Sequence, residues 1–333
     1  MTSKRCGSKT ALRAATAAIL VPILAVGCGE APEELTDQTA AVTSSVIKHV
    51  FIIAMENHDG SQIYGNTTNA PYINGILMPS YARATNFNDA LALSIPSEPH
   101  YVYMEAGTNA FSDHTFTNDN APSASNSTGS TAHLATQIRN ASNGVTWLAY
   151  QEGINGTTGG CPIAGSGFYA PKHDPFIFFR DVSGSPPSKT NSYCVAHHRA
   201  LTALAGDLSA DAVASYNFIT PNQCHDMHGQ SGCPNSNTIR AGDDWLAANL
   251  PSLISYANAH AGVIFIAFDE GSATSKIPFL AVGPHVKAGF AGAVSYTHGS
   301  MVKTVERILE LPILATVSST NDLSDLIGTG FYP

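Results

Sequence analysis

The chain has 333 residues, of which 44% are hydrophobic and only 12% are charged, and it contains 28 glycines and 19 prolines. Charged residues make up roughly 25% of an average globular protein, so this composition excludes a coiled coil and an intrinsically disordered chain, both of which need more charge. A single stretch near the N-terminus is apolar enough to approach a membrane segment, which excludes a protein with several membrane spans.

The first 27 residues are predicted to form an export signal. Four basic residues within the first 13 positions precede an apolar run at residues 14–26. A run of about 13 residues is shorter than the roughly 20 residues of a spanning helix but suits the apolar part of a signal peptide. The sequence LAVGC, which ends at Cys28, resembles a bacterial lipobox, so Cys28 is predicted to be lipidated. The alternative is an ordinary signal that is cleaved nearby, with Cys28 incidental.

The remaining chain is predicted to be a tether at residues 28–43 and a single catalytic domain at residues 44–333. Removal of residues 1–27 takes away four positive charges and no acids, which changes the net charge from −9 to −13. An acidic body repels the phosphates of nucleic acids, so no nucleic-acid partner is expected. We expect an exported protein of the bacterial cell envelope, or a secreted one, that meets a membrane only through its N-terminal lipid.

Strands and helices alternate along the chain. Continuous apolar and β-branched runs predict strands at residues 46–55, 145–150, 215–220, 262–268 and 277–282. Apolar residues at helical spacing predict helices at residues 130–141, 201–207, 243 or 244 to about 259, and 300–311. Residues 110–130 are rich in Ser, Asn, Asp and Thr and are predicted to form a long surface loop, called the excursion below. The alternation predicts an α/β fold, a three-layer α/β/α sandwich with a mostly parallel central sheet.

Acidic residues follow two of the predicted core strands directly. Glu56 and Asn57 come after the first strand, and Asp269 and Glu270 come after the strand at 262–268. Ligands of such sheets bind beyond the carboxyl ends of the strands, so the two clusters can converge on one crevice. Paired carboxylates suit a divalent cation. The alternative is that they cap the following helices or remain solvated.

Ser97 lies between two prolines, in the sequence IPSEPHY. Prolines fix the backbone, so this segment is predicted to be a stiff turn that presents the hydroxyl rigidly. A serine needs activation by a base or a metal to become a nucleophile. An ordinary turn serine is the alternative.

Histidines are concentrated in three predicted loops. Asp226 and His228 lie in the sequence NQCHDMHG, which suits metal or phosphate binding, although a polar disulfide loop is the alternative. His173 and His298 lie in two further loops, and neither is persuasive alone.

Four cysteines remain in the predicted catalytic domain. Cys161, Cys194, Cys224 and Cys233 suggest two disulfides in an exported protein, with three possible pairings. Proximity in the sequence favours Cys224 with Cys233 and Cys161 with Cys194. A structural zinc site is the competing reading, but the sequence has no C-x-x-C pair.

Several catalytic signatures are missing from the sequence. It has no G-x-S-x-G elbow, no H-E-x-x-H, no P-loop and no dinucleotide fingerprint. The missing elbow disfavours an α/β-hydrolase esterase.

The ordered set of motifs resembles the bacterial phosphoesterase family that contains acid phosphatases and the non-zinc phospholipases C, within the alkaline-phosphatase-like superfamily. The resemblance runs from about Lys48 to Leu311. The motifs are KHVFIIAMENH, PSEPHY, YQEG, KHDPF, ITPNQCHDMHG, FDEG and YTHGSMVKTVERILELP. Each is weak alone, but seven in the right order are specific.

The resemblance implies a role for each matched residue. Ser97 matches the nucleophile, His228 and His298 match catalytic histidines around the phosphate, and a divalent metal ion of unknown identity is implied. The implied metal ligands are Glu56, Ser97, Asp269 and Glu270, and the implied substrate-binding residues are Asn57, His173 and Asp226. Glu152 and Asn222 lie in matching segments with less certain roles, and His58 is a possible extra contact.

The resemblance also implies a substrate class, a small phosphate ester or a phospholipid head group. The acidic pair is followed by Gly-Ser-Ala-Thr rather than the longer D-E-H-G-G-type run of phospholipases C, and this favours the acid phosphatase branch. A protonated histidine, His228 or His298, is expected to protonate the leaving alkoxide, which would favour an acidic pH optimum. The alternatives are a phospholipase C, transfer of the phospho-group to an acceptor alcohol, and a surface binding lipoprotein that retains the fold without turnover.

Overall fold

A computed structural model describes residues 46–154 and 160–333. The predicted signal peptide, the predicted tether and Cys28 lie outside the described residues. In the part of the chain that is described, no helix is both long and apolar enough to cross a membrane.

The described residues form one eight-stranded sheet. The strands are β1 (His49–Met55), β2 (Ala82–Ala84), β3 (Trp147–Gln151), β4 (His198–Ala200), β5 (Tyr216–Thr220), β6 (Gly262–Phe268), β7 (Phe279–Val282) and β8 (Ala291–Gly292). Their order across the sheet is β4-β3-β5-β1-β6-β7-β2-β8. Every pairing is parallel except those of β7, which runs antiparallel to β6 and β2. The prediction of a mostly parallel sheet is therefore confirmed.

Helices connect the strands. The α-helices are α1 (Gly60–Ile63), α2 (Met78–Ser80), α3 (Ser97–Ala106), α4 (Leu134–Asn140), α5 (Arg180–Ser183), α6 (Ser192–His197), α7 (Leu204–Ser209), α8 (Thr238–His260) and α9 (His298–Ile308). A π-helix, Ile73–Leu77, leads into α2, and short 3-10 helices lie at Pro171–His173, Pro175–Phe178, Leu201–Ala203, Ala315–Val317 and Ser324–Leu326.

The helices cover both faces of the sheet. Phe51 of β1 contacts Tyr256 of α8 edge to face, with ring centroids 5.9 Å apart. Tyr216 of β5 donates a hydrogen bond to Glu105 of α3. Tyr216 is the register partner of Val50, which points to the face opposite Phe51 because successive residues of a strand alternate. Helices α8 and α3 therefore lie on opposite faces, and the predicted three-layer sandwich is confirmed.

The two central strands are apolar and buried on both faces. All seven residues of β6 and six of the seven in β1 are buried. The two strands pair in register from His49 with Gly262 to Met55 with Phe268. Since parallel strands in register end together, the residues that follow Met55 and Phe268 lie side by side.

Several predicted elements begin or end elsewhere. Helix α8 starts at Thr238 rather than at 243 or 244, because the Asn237 side chain accepts a hydrogen bond from the Arg240 N–H and caps the helix. Asp243 instead accepts from the N–H groups of Tyr72 and Ile73, at 2.9 Å each. The helix predicted at 300–311 is α9, which begins and ends two or three residues earlier. The segment predicted as a helix at 201–207 is a 3-10 turn followed by α7.

The stiff turn predicted around Ser97 is wrong, because Ser97 is the first residue of helix α3. Pro96 precedes the helix in an extended conformation, and Pro99 lies in the first turn, where a missing N–H costs nothing. Gly107 follows the last residue of the helix and caps it with a φ of +65°, which suits a residue without a side chain.

The structure pairs the four cysteines as Cys161–Cys194 and Cys224–Cys233. This is the pairing that proximity in the sequence favours, and it leaves none of these four cysteines as a thiolate for the zinc alternative.

Candidate active site

The ends of β1 and β6 bring the two predicted acidic clusters together. The Asp269 N–H donates to the Met55 carbonyl at 3.0 Å, which continues the ladder beyond both strands. Asn57 links the first cluster to the second. Its backbone N–H donates to Asp269 Oδ1 at 3.0 Å, and its side-chain amide donates to Glu270 Oε1 at 3.3 Å. Glu56 and Asp269 are fully buried. The prediction that these clusters share one crevice agrees with this geometry.

The Ser97 hydroxyl points at both clusters. Its Oγ lies 3.2 Å from Glu56 Oε2 and 3.3 Å from Glu270 Oε1, so its single proton can be donated to either carboxylate. Ser97 is buried and occupies the N-terminus of the ten-residue helix α3, where the helix dipole favours negative charge. Either carboxylate can take the proton of the serine, and the helix N-terminus favours the negative charge that then develops on Oγ.

His173 and Asp226 form a second group around Glu56. His173 Nε2 lies 3.2 Å from Glu56 Oε1, and His173 Nδ1 lies 3.5 Å from Asp226 Oδ2. Glu56, His173 and Asp226 are all buried, and each offers one ligand atom within 4.8 Å of those of the other two. These three residues are called the triad below. The Tyr101 ring of α3 stacks on the imidazole at 4.9 Å and fixes its plane.

Several buried polar atoms of this site make no hydrogen bond of normal geometry with the described residues, although Glu56 Oε1 and His173 Nε2 lie 3.2 Å apart. They are Glu56 Oε1, Asn57 Oδ1, His173 Nε2, Asp226 Oδ2, Asp269 Oδ2 and His298 Nδ1. Buried polar groups are nearly always paired, so such a concentration calls for a ligand.

The residues around Glu56 fit a divalent cation. Two ligands at about 2.1 Å from one tetrahedral ion lie about 3.4 Å apart, which is close to the 3.2 Å between Glu56 Oε1 and His173 Nε2. Burial, and then the charges of neighbouring carboxylates, raises the pKa of Glu56 and of Asp269 well above the usual range. Burial likewise raises the pKa of Asp226. A bound cation would relieve that repulsion. The sequence assigned His173 and Asp226 to the substrate, whereas the structure places them as potential metal ligands with Glu56.

His298 is held in a neutral state. Its Nε2 lies 2.8 Å from the Phe268 carbonyl, so this nitrogen carries the hydrogen and Nδ1 presents an unpartnered lone pair. Complete burial lowers the pKa of His298 to about 4. The expectation that His298 protonates the leaving group does not fit this environment, because the imidazole is uncharged at the pH where such an acid would act.

His228 has a different setting at the edge of the site. Its backbone N–H donates a hydrogen bond to Asp226 Oδ1 at 2.8 Å, and its ring Nδ1 lies 2.6 Å from the Gly229 carbonyl oxygen. The ring is only half-buried and lies 6.1 Å from that of His173. Since Nδ1 faces a carbonyl, Nε2 is the atom through which this ring can exchange a proton with a substrate.

Two groups near Ser97 carry positive charge and were not assigned from the sequence. Lys172 Nζ lies 2.6 Å from Asp119 Oδ2. His100 contacts Asp89 and the Pro96 carbonyl directly before Ser97, at 3.0 and 2.9 Å. The sequence signal was present, since Lys172 and His100 lie in the KHDPF and PSEPHY motifs, but neither their charge state nor their partners could be deduced from it.

Three residues with less certain roles lie away from the serine. Glu152 accepts from the Asn222 N–H and from the His225 ring, both at 2.9 Å, and so holds the loop that carries Asp226. His58 contacts Gln62 at 3.3 Å. None of the three contacts the Ser97 hydroxyl.

A cavity of about 800 Å³ lies between β4, α7 and α8, with Glu152 and His225 on its rim. Its walls are largely apolar and include Leu201, Leu204 and Trp245. None of the predicted catalytic, substrate-binding or metal-binding residues lines it, so the polar cluster around Ser97, and not this cavity, is the candidate site of chemistry.

A comparison with models of protein families matches residues 76–312 to the phosphoesterase family. The chain belongs to the phosphoesterase family. The match covers more than half of the chain and includes Ser97, Asp226, Asp269 and His298, whereas Glu56 and Asn57 precede it. This phosphoesterase is a hydrolase that acts on phosphoric ester bonds. No curated protein sequence matches the chain.

Solved structures with the same fold belong to hydrolases and related proteins. One is a protein of the alkaline phosphatase superfamily from Vibrio parahaemolyticus, with 11% identity, a TM-score of 0.54, and coverage of 85% of this chain and 71% of that one. Another is murine ectonucleotide pyrophosphatase/phosphodiesterase 5, with 11% identity, a TM-score of 0.52, and coverage of 84% and 100%. A third is a phosphonate monoester hydrolase from Silicibacter pomeroyi, with 11% identity, a TM-score of 0.50, and coverage of 84% and 76%. At this identity the similarity shows that the phosphoesterase has the alkaline-phosphatase-type fold.

Proposed function

We propose that the protein is an exported phosphatase of the acid phosphatase type, which hydrolyses small phosphate monoesters through a phosphoserine at Ser97. The position of the Ser97 hydroxyl carries the proposal. It lies within 3.3 Å of two carboxylate oxygens, at a helix N-terminus, inside a cluster of unpartnered ligand atoms. The two disulfides support export, because disulfides persist in oxidising compartments.

In the first step, Ser97 Oγ attacks the phosphorus and the ester P–O bond breaks. The serine proton passes to Glu56 or Glu270, the two carboxylates within hydrogen-bond reach. The departing alkoxide takes a proton from Nε2 of His228, the ring nitrogen that does not face the Gly229 carbonyl. Water then hydrolyses the phosphoserine and restores the hydroxyl.

Other residues orient and stabilise the phosphate. The Asn57 amide is held by Glu270 and is positioned to donate to a phosphate oxygen with its second hydrogen. Glu56, His173 and Asp226, with Asp269 and Glu270 nearby, would hold a divalent cation. When bound, the cation supplies positive charge that lowers the cost of ionising Ser97 and of bringing an anionic phosphate to the site.

The test is hydrolysis of p-nitrophenyl phosphate by the purified domain, with Ser97→Ala and Ser94→Ala compared at acidic and alkaline pH. Ser94 is an exposed serine three residues away, so its variant controls for the substitution itself. We expect Ser97→Ala to lose turnover by at least about a thousandfold and to lose the burst of nitrophenol that a phosphoserine intermediate gives. Retained turnover in Ser97→Ala would refute the serine mechanism.

A second arm of the test separates monoester from diester chemistry. p-Nitrophenylphosphorylcholine is offered to the wild-type enzyme under the same conditions. Preference for the monoester supports the phosphatase, whereas turnover of the choline ester alone would indicate a phospholipase C. Glycerol in the assay would reveal transfer to an alcohol as glycerol phosphate. A folded wild-type protein that turns over neither ester would contradict the proposal and leave the binding lipoprotein.

A further inference from the structure

Lys172 is tied to the segment that carries the nucleophile. It lies in the 3-10 helix Pro171–His173, directly before the triad residue His173. Its ammonium contacts Asp119 Oδ2 at 2.6 Å, and Asp119 Oδ1 accepts a hydrogen bond from the Glu98 N–H at 3.0 Å. Glu98 follows Ser97 in the chain. Asp119 therefore links the lysine to the first turn of α3 through two contacts.

The pair is accessible where the carboxylates are not. The Lys172 side chain is 19% exposed and that of Asp119 is 32% exposed, whereas Glu56, Asp226 and Asp269 are buried. The positive charge of Lys172 acts on the buried carboxylates, since it lowers the pKa of Glu56 and of Asp226 and so opposes the rise that burial causes. A cation at the accessible rim of an acidic site faces an incoming anion first.

The remaining hydrogen-bonding capacity of Lys172 suits a phosphate. An ammonium group has three N–H donors, and among the described residues only Asp119 accepts one of them, which leaves two for a ligand. A phosphate monoester is mostly a dianion at neutral pH, because its second pKa is about 6. A phosphodiester carries one negative charge, and a choline ester also carries a cationic trimethylammonium group that an ammonium repels. A lysine at this position therefore favours a phosphate monoester over a phosphocholine ester.

We propose that Lys172, positioned by Asp119, binds the non-bridging oxygens of the substrate phosphate and selects phosphate monoesters over phosphocholine esters. This inference rests on the proposed phosphatase function and adds a residue that determines its specificity. Asp119 is a positioning residue, because it acts on the substrate through Lys172. A purely structural role for the pair would be to anchor the excursion at residues 110–130, on which Asp119 lies, and the experiment must separate the two.

The experiment compares Lys172→Met, Lys172→Arg and Asp119→Asn with a matched control, Lys189→Met. Lys189 is an exposed lysine whose side chain lies outside the described site. For each protein, kcat and KM are measured with p-nitrophenyl phosphate and with p-nitrophenylphosphorylcholine, together with the inhibition constant of inorganic phosphate. Circular dichroism and thermal unfolding identify any variant that has lost its fold.

We expect Lys172→Met to raise the KM for the monoester and the inhibition constant of phosphate by about 10- to 100-fold, the range for loss of one charge-assisted hydrogen bond. kcat/KM for the choline ester should change by less than about fivefold, or rise. Lys172→Arg should restore most of the phosphate affinity, and Asp119→Asn should raise the KM for the monoester more than it lowers kcat. Lys189→Met should match the wild type.

Equal losses for both esters, or an unchanged inhibition constant of phosphate in folded Lys172→Met, would overturn the inference. Failure of the proposed function looks different, because it would appear as turnover in Ser97→Ala. Calorimetric titration of inorganic phosphate into Ser97→Ala and into the Ser97→Ala, Lys172→Met double variant tests the lysine without turnover. If Lys172→Met does not fold, Asp119→Asn carries the same comparison. Phosphate affinity in folded Asp119→Asn equal to that of the wild type would also overturn the inference.

Discussion

The buried His100 gives the protein a defined dependence of stability on pH. Its Nδ1 lies 2.9 Å from the Pro96 carbonyl, and its Nε2 lies 3.0 Å from Asp89 Oδ1. A carbonyl and a carboxylate can only accept hydrogen bonds, so both ring nitrogens carry hydrogens and the ring is an imidazolium. The side chain is fully buried, so loss of its proton would leave a buried carboxylate without its partner.

The size of the effect follows from the environment of His100. Burial opposes the charged form, but the hydrogen bond to Asp89 and the charge of Asp269 outweigh it and raise the pKa to about 9. An ordinary histidine titrates near 6.5, so the rise in the pKa to about 9 corresponds to about 3 kcal/mol. Because the folded-state pKa is the higher one, this stabilisation is fully present below about pH 6.5 and is lost as the pH rises through about 9. We therefore expect this group to lower the free energy of unfolding by about 3 kcal/mol between pH 6 and pH 9.

The assay is urea unfolding of EDTA-treated protein across that pH range, for the wild type, His100→Gln and a matched control, His260→Gln. His260 also faces a carboxylate, Asp211 at 3.4 Å, but both side chains are more than a third exposed, so it should contribute little. His133 and His198 also have raised pKa values and add to the wild-type slope, so the quantity compared is the difference between proteins.

His100→Gln should flatten the pH dependence, and His260→Gln should leave it unchanged. A wild-type slope that persists in His100→Gln would refute the reasoning. So would an NMR titration in which the His100 ring of the wild type loses its proton near pH 6.5, a measurement that does not require the variant to fold.

Three further expectations concern the metal, a glycine and a disulfide. EDTA should abolish turnover. Asp226→Asn should weaken the binding of the cation that restores turnover by about 10- to 100-fold, measured by calorimetry. Turnover that is unchanged by EDTA would contradict the metal site. Gly271→Ala should lower the free energy of unfolding by about 1–3 kcal/mol and lower kcat, because an added Cβ would lie 1.8 Å from a backbone carbonyl oxygen in the loop after the acidic pair. The control is Gly75→Ala, which has open space around the added Cβ and should be neutral or stabilising. Serine at both Cys224 and Cys233 should lower the free energy of unfolding by about 2–3 kcal/mol in thermal denaturation, as expected for a loop of this length, and unchanged stability would argue against the link.

The core strands could be predicted because their sequence has one simple physical cause. Strands buried on both faces need a continuous apolar run, and residues 262–268 were predicted with the bounds that β6 has. The short strands β2 and β8 have three and two residues, which is too little for any period to appear. Helix α3 was missed because the prolines that begin it are also the usual signal for a turn.

The candidate site could be predicted only in part for a related reason. Glu56 and Asp269 follow two parallel strands, and the strand register alone makes them neighbours. His173 and Lys172 reach the site on a loop whose path depends on tertiary packing, including the Tyr101 stack and the Asp119 contact. No local pattern encodes such contacts, so the sequence named His173 without its partners and gave Lys172 no role.

The states of the histidines explain how one acidic site can hold both a cation and a proton donor. His100 has an oxygen acceptor on each ring nitrogen and is fixed as a cation, whereas burial without a carboxylate contact keeps His298 neutral with a free lone pair. Neither can exchange a proton readily near neutral pH, so neither is suited to protonate a leaving group. The half-buried His228 is the histidine beside the triad whose Nε2 remains open to a substrate. Acid catalysis in this site therefore points to His228, and loss of His228 should reduce the rate for esters with poorly leaving alcohols more than for p-nitrophenyl phosphate, whose leaving group needs no proton.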